Sequence, residues 1–177
     1  MIVKRLILCE GLLALFLVST TFGTSTQINY ISTDLGSGRW EYTYDVCNIN
    51  LSVYDQPRAI DEFTIWFDYG LYDNLTVTTP NPPSGGWDEI VWQPEPVIGD
   101  DGGYDALTKN LNIGVGESVY GFAVSFDWLG IDEPGSQYYE IIDPVTFGIG
   151  ASGYTVPEPT TCLLLLSGAV LLRLRKN

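Results

Sequence analysis

The chain has 177 residues, with 8 Lys plus Arg against 22 Asp plus Glu, no His and three Cys. That length suits one domain carrying targeting extensions. Between residues 24 and 156 only Arg39, Arg58 and Lys109 stand against 20 acids, a net of −17, which repels phosphate backbones and excludes nucleic acid as a partner. Having no His removes the Ser-His-Asp and Cys-His systems and every His-containing zinc site.

Met1 to Arg5 form a short basic segment, Leu12 to Val18 an apolar run, and Ser19 to Ser25 a series of mostly small residues. This order is that of a secretory signal peptide, assigned to residues 1–25, with the mature chain expected to begin near Thr24 or Thr26. The apolar run is too short to cross ~30 Å of hydrocarbon comfortably. Cys9 precedes the run, so it is not placed as a lipoprotein cysteine. Once the signal is removed, Cys47 is the only thiol in the body. With no partner for a disulfide and no His to activate it, it reads as a small buried hydrophobe.

From Ile28 to Thr155 the dominant period is two. Arg39-Trp40-Glu41-Tyr42-Thr43-Tyr44-Asp45-Val46 alternates aromatic or apolar residues with polar ones, the pattern of a strand with one face on a core. Phe63, Ile65, Phe67 and Tyr69 repeat it, with Trp66 on the opposite face. Leu75 with Val77, Ile90 with Trp92, and Leu111, Ile113 and Val115 follow. Tyr120 to Phe126 alternates large with small residues, which predicts a strand whose second face lies close under another layer. Ile141-Ile142 and Val145 to Ile149 supply the last strands. Breaker clusters at Leu35–Gly38, Pro80–Gly86, Gly99–Gly103 and Glu133–Ser136 separate these runs, and no stretch between them has a helical period. The expectation is an all-β antiparallel sandwich, jelly-roll or Ig-like, over residues 26–155, with about seven to nine strands. A signal helix precedes it and a short hydrophobic helix follows.

The chemistry-bearing residues are few. The pairs Asp61-Glu62, Asp88-Glu89 and Asp132-Glu133 invite a glycosidase reading. Neighbours on a strand point to opposite faces, however, and cannot flank one sugar bond, so they read as solvated charge. Asp100, Asp101 and Asp105 gather hard oxygen donors around a Gly pair and are the candidate calcium ligands, though their spacing misses the EF-hand pattern. Otherwise no cofactor is expected. Most aromatics fall at core positions. Trp66, with Trp87 and Trp92 around a loop, forms the one candidate platform for stacking a sugar ring. Asn50-Leu51-Ser52 and Asn74-Leu75-Thr76 match the glycosylation sequon.

Val156-Pro157-Glu158-Pro159 is followed by Thr160-Thr161, an apolar run from Cys162 to Leu172, and a basic end with Arg173, Arg175 and Lys176. The two prolines fix φ and bias their neighbours toward an extended, unpaired segment that a processing enzyme can grip. The basic end is expected to stay cytoplasmic. The arrangement over residues 156–177 resembles the PEP-CTERM protein-sorting signal. The body, with Trp92 to Gly103 and Phe122 to Gly130, also looks like uncharacterised sandwich domains that precede such tails. The resemblance implies a Gram-negative-type bacterium, recognition by a membrane exosortase, and association with extracellular polysaccharide or the outer surface. The 11-residue run measures about 16 Å at 1.5 Å per residue, which suits transient residence in the inner membrane through residues 162–172 better than a permanent anchor. The expected function is an exported structural or adhesive protein of the surface or matrix, without catalysis. The alternative is a carbohydrate-binding module for exopolysaccharide, with or without calcium.

Overall fold

The computed structural model describes residues 26–49, 58–143 and 145–158. The expected signal peptide and its helix, the Asn50 sequon, Pro159, the apolar run with Cys162, and Arg173, Arg175 and Lys176 lie outside the described residues.

Strands β1 (Thr26–Gly36) and β2 (Arg39–Asn48) form a hairpin in register from Thr26 opposite Asn48 to Gly36 opposite Arg39. It turns at Gly36-Ser37-Gly38, all with positive φ, a conformation that glycine adopts without steric cost. Strands β3 (Glu62–Phe67), β4 (Tyr72–Val77), β5 (Trp87–Trp92), β6 (Gly102–Thr108), β7 (Ser118–Trp128), β8 (Tyr138–Ile142), β9 (Ile149–Tyr154) and β10 (Val156–Pro157) complete the fold. One five-stranded sheet runs β10-β1-β2-β7-β4 and the other β5-β6-β3-β8-β9. Every ladder is antiparallel except that of β1 with β10. The chain is an all-β sandwich, as the alternation predicts.

Alternation fills the space between the sheets. Tyr42, Tyr44, Phe122 and Phe126 from the first sheet meet Phe63, Phe67, Tyr104 and Tyr139 from the second, all buried. Phe63 packs edge-on against Phe122 with centroids 5.0 Å apart, the geometry the ring quadrupoles favour. A tyrosine core is stable only if its hydroxyls are paired. Tyr42 donates to the Gly135 carbonyl at 2.7 Å, Tyr44 to Gln137 at 3.2 Å, Tyr104 to Glu89 at 2.5 Å and Tyr139 to the Thr26 carbonyl at 2.6 Å. Burial pushes the Tyr44 and Tyr104 hydroxyls far above their ordinary range, so both remain neutral donors. Glu89 is therefore part of the core's polar rim, not the solvated charge expected of the Asp88-Glu89 pair.

The second face of β7 is covered, as the large-small alternation implies. Ala123 and Ser125 are buried beside Phe122, Val124 and Phe126. Arg39 reaches over to donate to the Ser125 hydroxyl at 2.7 Å, and the Ala123 N–H donates to Thr79 at 2.8 Å. Other expectations are corrected. Leu111, Ile113 and Val115 form no strand: Ile113 makes a single bridge to Ile60, and the flanking apolar residues are exposed. Tyr69 lies beyond the end of β3 and is half exposed. Residues 145–148 turn between β8 and β9 instead of forming a strand. Cys47 sits half-buried on the outward side of β2, in phase with Asp45, and is a free thiol.

The segment expected to be extended and unpaired is extended but paired. Val156 and Pro157 lie opposite Asn29 and Tyr30 in a parallel ladder, and Glu158 N–H donates to the Tyr30 carbonyl at 2.9 Å. Alternation along the strand then turns the Pro157 nitrogen toward the open side of the sheet, where its missing N–H costs no ladder bond and blunts the edge. Across β1, the Glu158 carboxyl reaches Asp45. Burial and then this neighbour push the Asp45 carboxyl up to about 6, against the Gly121 N–H that donates to it. A carboxyl whose folded pKa is raised contributes stability that is full below about pH 4 and lost as pH rises through about 6. Solvent screening at this part-exposed site holds the effect to roughly 1 kcal/mol. The native protein should therefore lose about 3–5 °C of melting temperature over that interval relative to Asp45→Asn. Parallel pH profiles of the two proteins would contradict this.

Candidate functional site

The outward face of the second sheet carries the chemistry. Since Ile65, Phe67, Tyr104 and Tyr139 point inward, their strand neighbours Trp66, Gly103 and Tyr138 point outward. Trp92 pairs with Gly103, Gly103 with Trp66, and Tyr138 with Tyr154. The pairing of Ile65 with Tyr139 sets Trp66 opposite Tyr138. One row across the strands therefore reads Trp92, Gly103, Trp66, Tyr138, Tyr154.

Gly103 is what lets this row lie down. A Cβ there would fall 2.1 Å from Trp92 Cζ2 and 2.4 Å from Cε2, so the indole rests on bare backbone. Trp66 meets Trp92 edge-on at 5.5 Å and 74°, and Tyr138 meets Tyr154 at 5.6 Å and 61°. Two edge-to-face pairs thus stand on one face, with Tyr154 mostly in solvent.

Beside this row, past the exposed Ile90 on β5, runs a polar one: Asp105, Thr64, Glu140, Ser152. Thr64 Oγ1 donates to Asp105 at 2.7 Å, and the Trp66 indole N–H donates to Glu140 at 3.3 Å, fixing the ring. Burial raises the Asp105 carboxyl above its ordinary range, and burial with the nearby Asp105 raises Glu62. At its Trp end the aromatic row opens into a cleft of about 430 Å³ lined by Trp66, Trp92, Gln93, Glu95, Asp100 and Asp101. Gln93 is locked there, accepting from Leu75 N–H at 2.7 Å and donating to its carbonyl at 2.8 Å. The arrangement offers flat apolar faces next to fixed hydrogen-bond acceptors, which is what binding a polyhydroxylated ring requires.

Of the residues singled out in the sequence, Trp66 and Trp92 come together. Trp87 does not: it is 1% exposed and packs on Phe63 and Phe122 in the core, because it opens β5 on the inward phase while Trp92 closes it on the outward one. Asp100 and Asp101 line the cleft, but Asp105 lies about 13 Å further along the strand and is engaged by Thr64. Asp101 accepts the Tyr69 N–H at 2.9 Å. Among the described residues no group of three or more Cys, Asp or Glu side chains converges as a metal site. The Asn74 amide of the second sequon donates to Asp127 at 2.6 Å. Tyr138 and Tyr154 also belong to the row, without a signal of their own in the sequence. Tyr138 sits in a Tyr-Tyr doublet that hides the phase, and only the register with β9 brings Tyr154 beside it.

No family model matches the chain, and no curated relative matches it. Among solved structures, the chain is similar to a variant of the carbohydrate-binding module CBM3b from the cellulosomal cellobiohydrolase 9A of Clostridium thermocellum. The identity is 10% and the TM-score 0.41, over 73% of this chain and 87% of that one. A family 3b carbohydrate-binding module from the biomass-sensoring system of Clostridium clariflavum matches at 8% identity and TM-score 0.42, over 66% and 90% of the two chains. Part of an exo-β-N-acetylglucosaminidase from Vibrio harveyi matches at 7% and 0.40, over 76% of this chain and 18% of that one.

Proposed function

We propose that this protein is an exported, non-catalytic adhesive domain that holds extracellular polysaccharide against the outward face of its second sheet. The observation that carries the reading is the registered row of Trp92, Trp66, Tyr138 and Tyr154, flanked by the acceptors Asp105 and Glu140. Aromatic rings on a solvent face cost solubility unless they meet a partner. Asp105 and Glu140 stand on either side of Thr64 and project the same way from one face instead of facing each other across a cleft, an arrangement suited to accepting hydroxyl protons more than to cleaving a sugar bond. Calcium plays no part in this reading. The route is part of the proposal: a signal peptide over residues 1–25 exports the chain, and a membrane exosortase reads the tail from Val156 onward.

The test is retention on insoluble neutral polysaccharides of the matrix type. The native protein should be retained, and the double variant Trp66→Ala, Trp92→Ala should lose at least about tenfold in affinity, equivalent to about 1.4 kcal/mol. Its melting temperature should stay close to native, because both rings lie outside the core. Equal retention of the two proteins would overturn the reading.

A further inference from the structure

We infer that the face takes a neutral, extended glycan chain laid across the strands, stacked on Trp92/Trp66 and again on Tyr138/Tyr154 two sugar residues further on. This rests on the polysaccharide-binding reading above and specifies its ligand.

The row fixes the direction. Its members sit on β5, β3, β8 and β9 at one register, so a ligand that touches them all must run perpendicular to the strands. The pairs fix the period. Within each pair the rings are steeply inclined to one another, 74° and 61°, so at most one ring of a pair can serve as a flat platform, with the other standing beside it. The Trp92 ring lies over β6, because it covers Gly103, and the tyrosine pair spans β8 and β9. With Tyr138 on β8 as the second platform, the separation is two strand spacings, roughly 10 Å, which is about two residues of an extended pyranose chain. In such a chain with a half-turn between successive sugars, every second ring presents the same face. A coiled or sharply bent chain would bring its rings back on one side of the row and leave one pair empty.

The polar row and the charge fix the class. Asp105, Thr64, Glu140 and Ser152 lie two residues along their strands from the aromatic row, about 7 Å away, where the rim hydroxyls of a stacked sugar would fall. Carboxylates there accept hydroxyl protons and repel uronate or sulfate groups. No cation among the described residues offsets them: Arg39 is paired with Asp127, Arg58 with Asp143, and Lys109 with Asp88. The acidic cleft at the Trp end, with Glu95, Asp100 and Asp101, extends the same preference.

The test is calorimetric titration of the full-length protein with ladders from disaccharide to hexasaccharide. Neutral β-linked glucose, mannose, xylose and N-acetylglucosamine oligomers are compared with galacturonate oligomers. For at least one neutral ladder the affinity should climb until the chain spans both pairs, at three to four residues, and then level off. Tyr138→Ala, Tyr154→Ala should drop the hexasaccharide about tenfold, to the level of the disaccharide, and leave the disaccharide unchanged. Gly103→Ala, which lifts Trp92 off the backbone, should weaken every length. Galacturonate should not bind. If disaccharide and hexasaccharide bind equally, if the tyrosine variant is silent, or if galacturonate binds as well, this inference is overturned while polysaccharide binding stands. If no ladder binds and insoluble polysaccharide is not retained, the underlying reading fails too.

Discussion

Replacing Trp87 with Ala should cost about 3–5 kcal/mol and lower the melting temperature by roughly 10 °C or more. The side chain is 1% exposed, sits edge-on to Phe122 at 5.2 Å, and tilts against Phe63 at 5.8 Å, so truncation leaves a cavity between the sheets. Trp87→Phe should cost much less than that. The indole Nε1 is buried without a hydrogen-bond partner, so losing it removes a desolvated donor along with part of the ring. Thermal unfolding followed by near-ultraviolet circular dichroism checks both variants. An Ala variant that melts within a few degrees of native would place Trp87 outside the core. The contrast with Trp92 is the sharper part. Two tryptophans on one six-residue strand should behave oppositely on replacement, one lowering stability and the other weakening retention on polysaccharide.

That contrast also shows what one sequence can and cannot disclose. The inward phase of β2 and β3 is legible because Tyr42, Tyr44 and Val46, and then Phe63, Ile65 and Phe67, fall on one parity, with every residue between them polar except Trp66. In β5 the apolar residues occupy both parities: Trp87 and Val91 face in, Ile90 and Trp92 face out. No alternation rule can choose between them, and the choice is made by pairing with β6. The aromatic row is a still less local object. Its members come from four strands, β3, β5, β8 and β9, spread between residues 66 and 154, so it exists only as a consequence of register. Leu111 to Val115 fails for a different reason. Its period is that of a strand, but Ile113 is held by reciprocal backbone bonds to Ile60 alone, and Gly114 and Gly116 break the extension.

The double variant Pro157→Ala, Pro159→Ala should block maturation of the tail while leaving the sandwich intact. On the proposed route the exosortase must take hold of an extended segment starting at Val156, and in the folded protein that segment is already β10. It is a light attachment: two residues pair with β1, both are exposed, and the Glu158 N–H closes the ladder on Tyr30. Because the Pro157 ring faces the open edge, Ala there adds a donor to solvent and takes nothing from β1. The melting temperature should therefore stay within about 2 °C of native, as for surface changes that touch no core contact. What changes is the backbone preference of residues 156–159. Without the two fixed φ angles the stretch is free to join the apolar run in a helix, and an enzyme that reads an extended motif loses it. In a host carrying the exosortase, the membrane fraction should accumulate chains still bearing Arg173, Arg175 and Lys176, detected by mass spectrometry of the C-terminal peptide. Removing those three basic residues should act differently, by deleting the cytoplasmic stop and letting the whole tail pass through the membrane. Normal maturation of the proline variant, with an unchanged melting temperature, would show that the tail is not read through this motif, and the proposed route would then rest on the N-terminal signal alone.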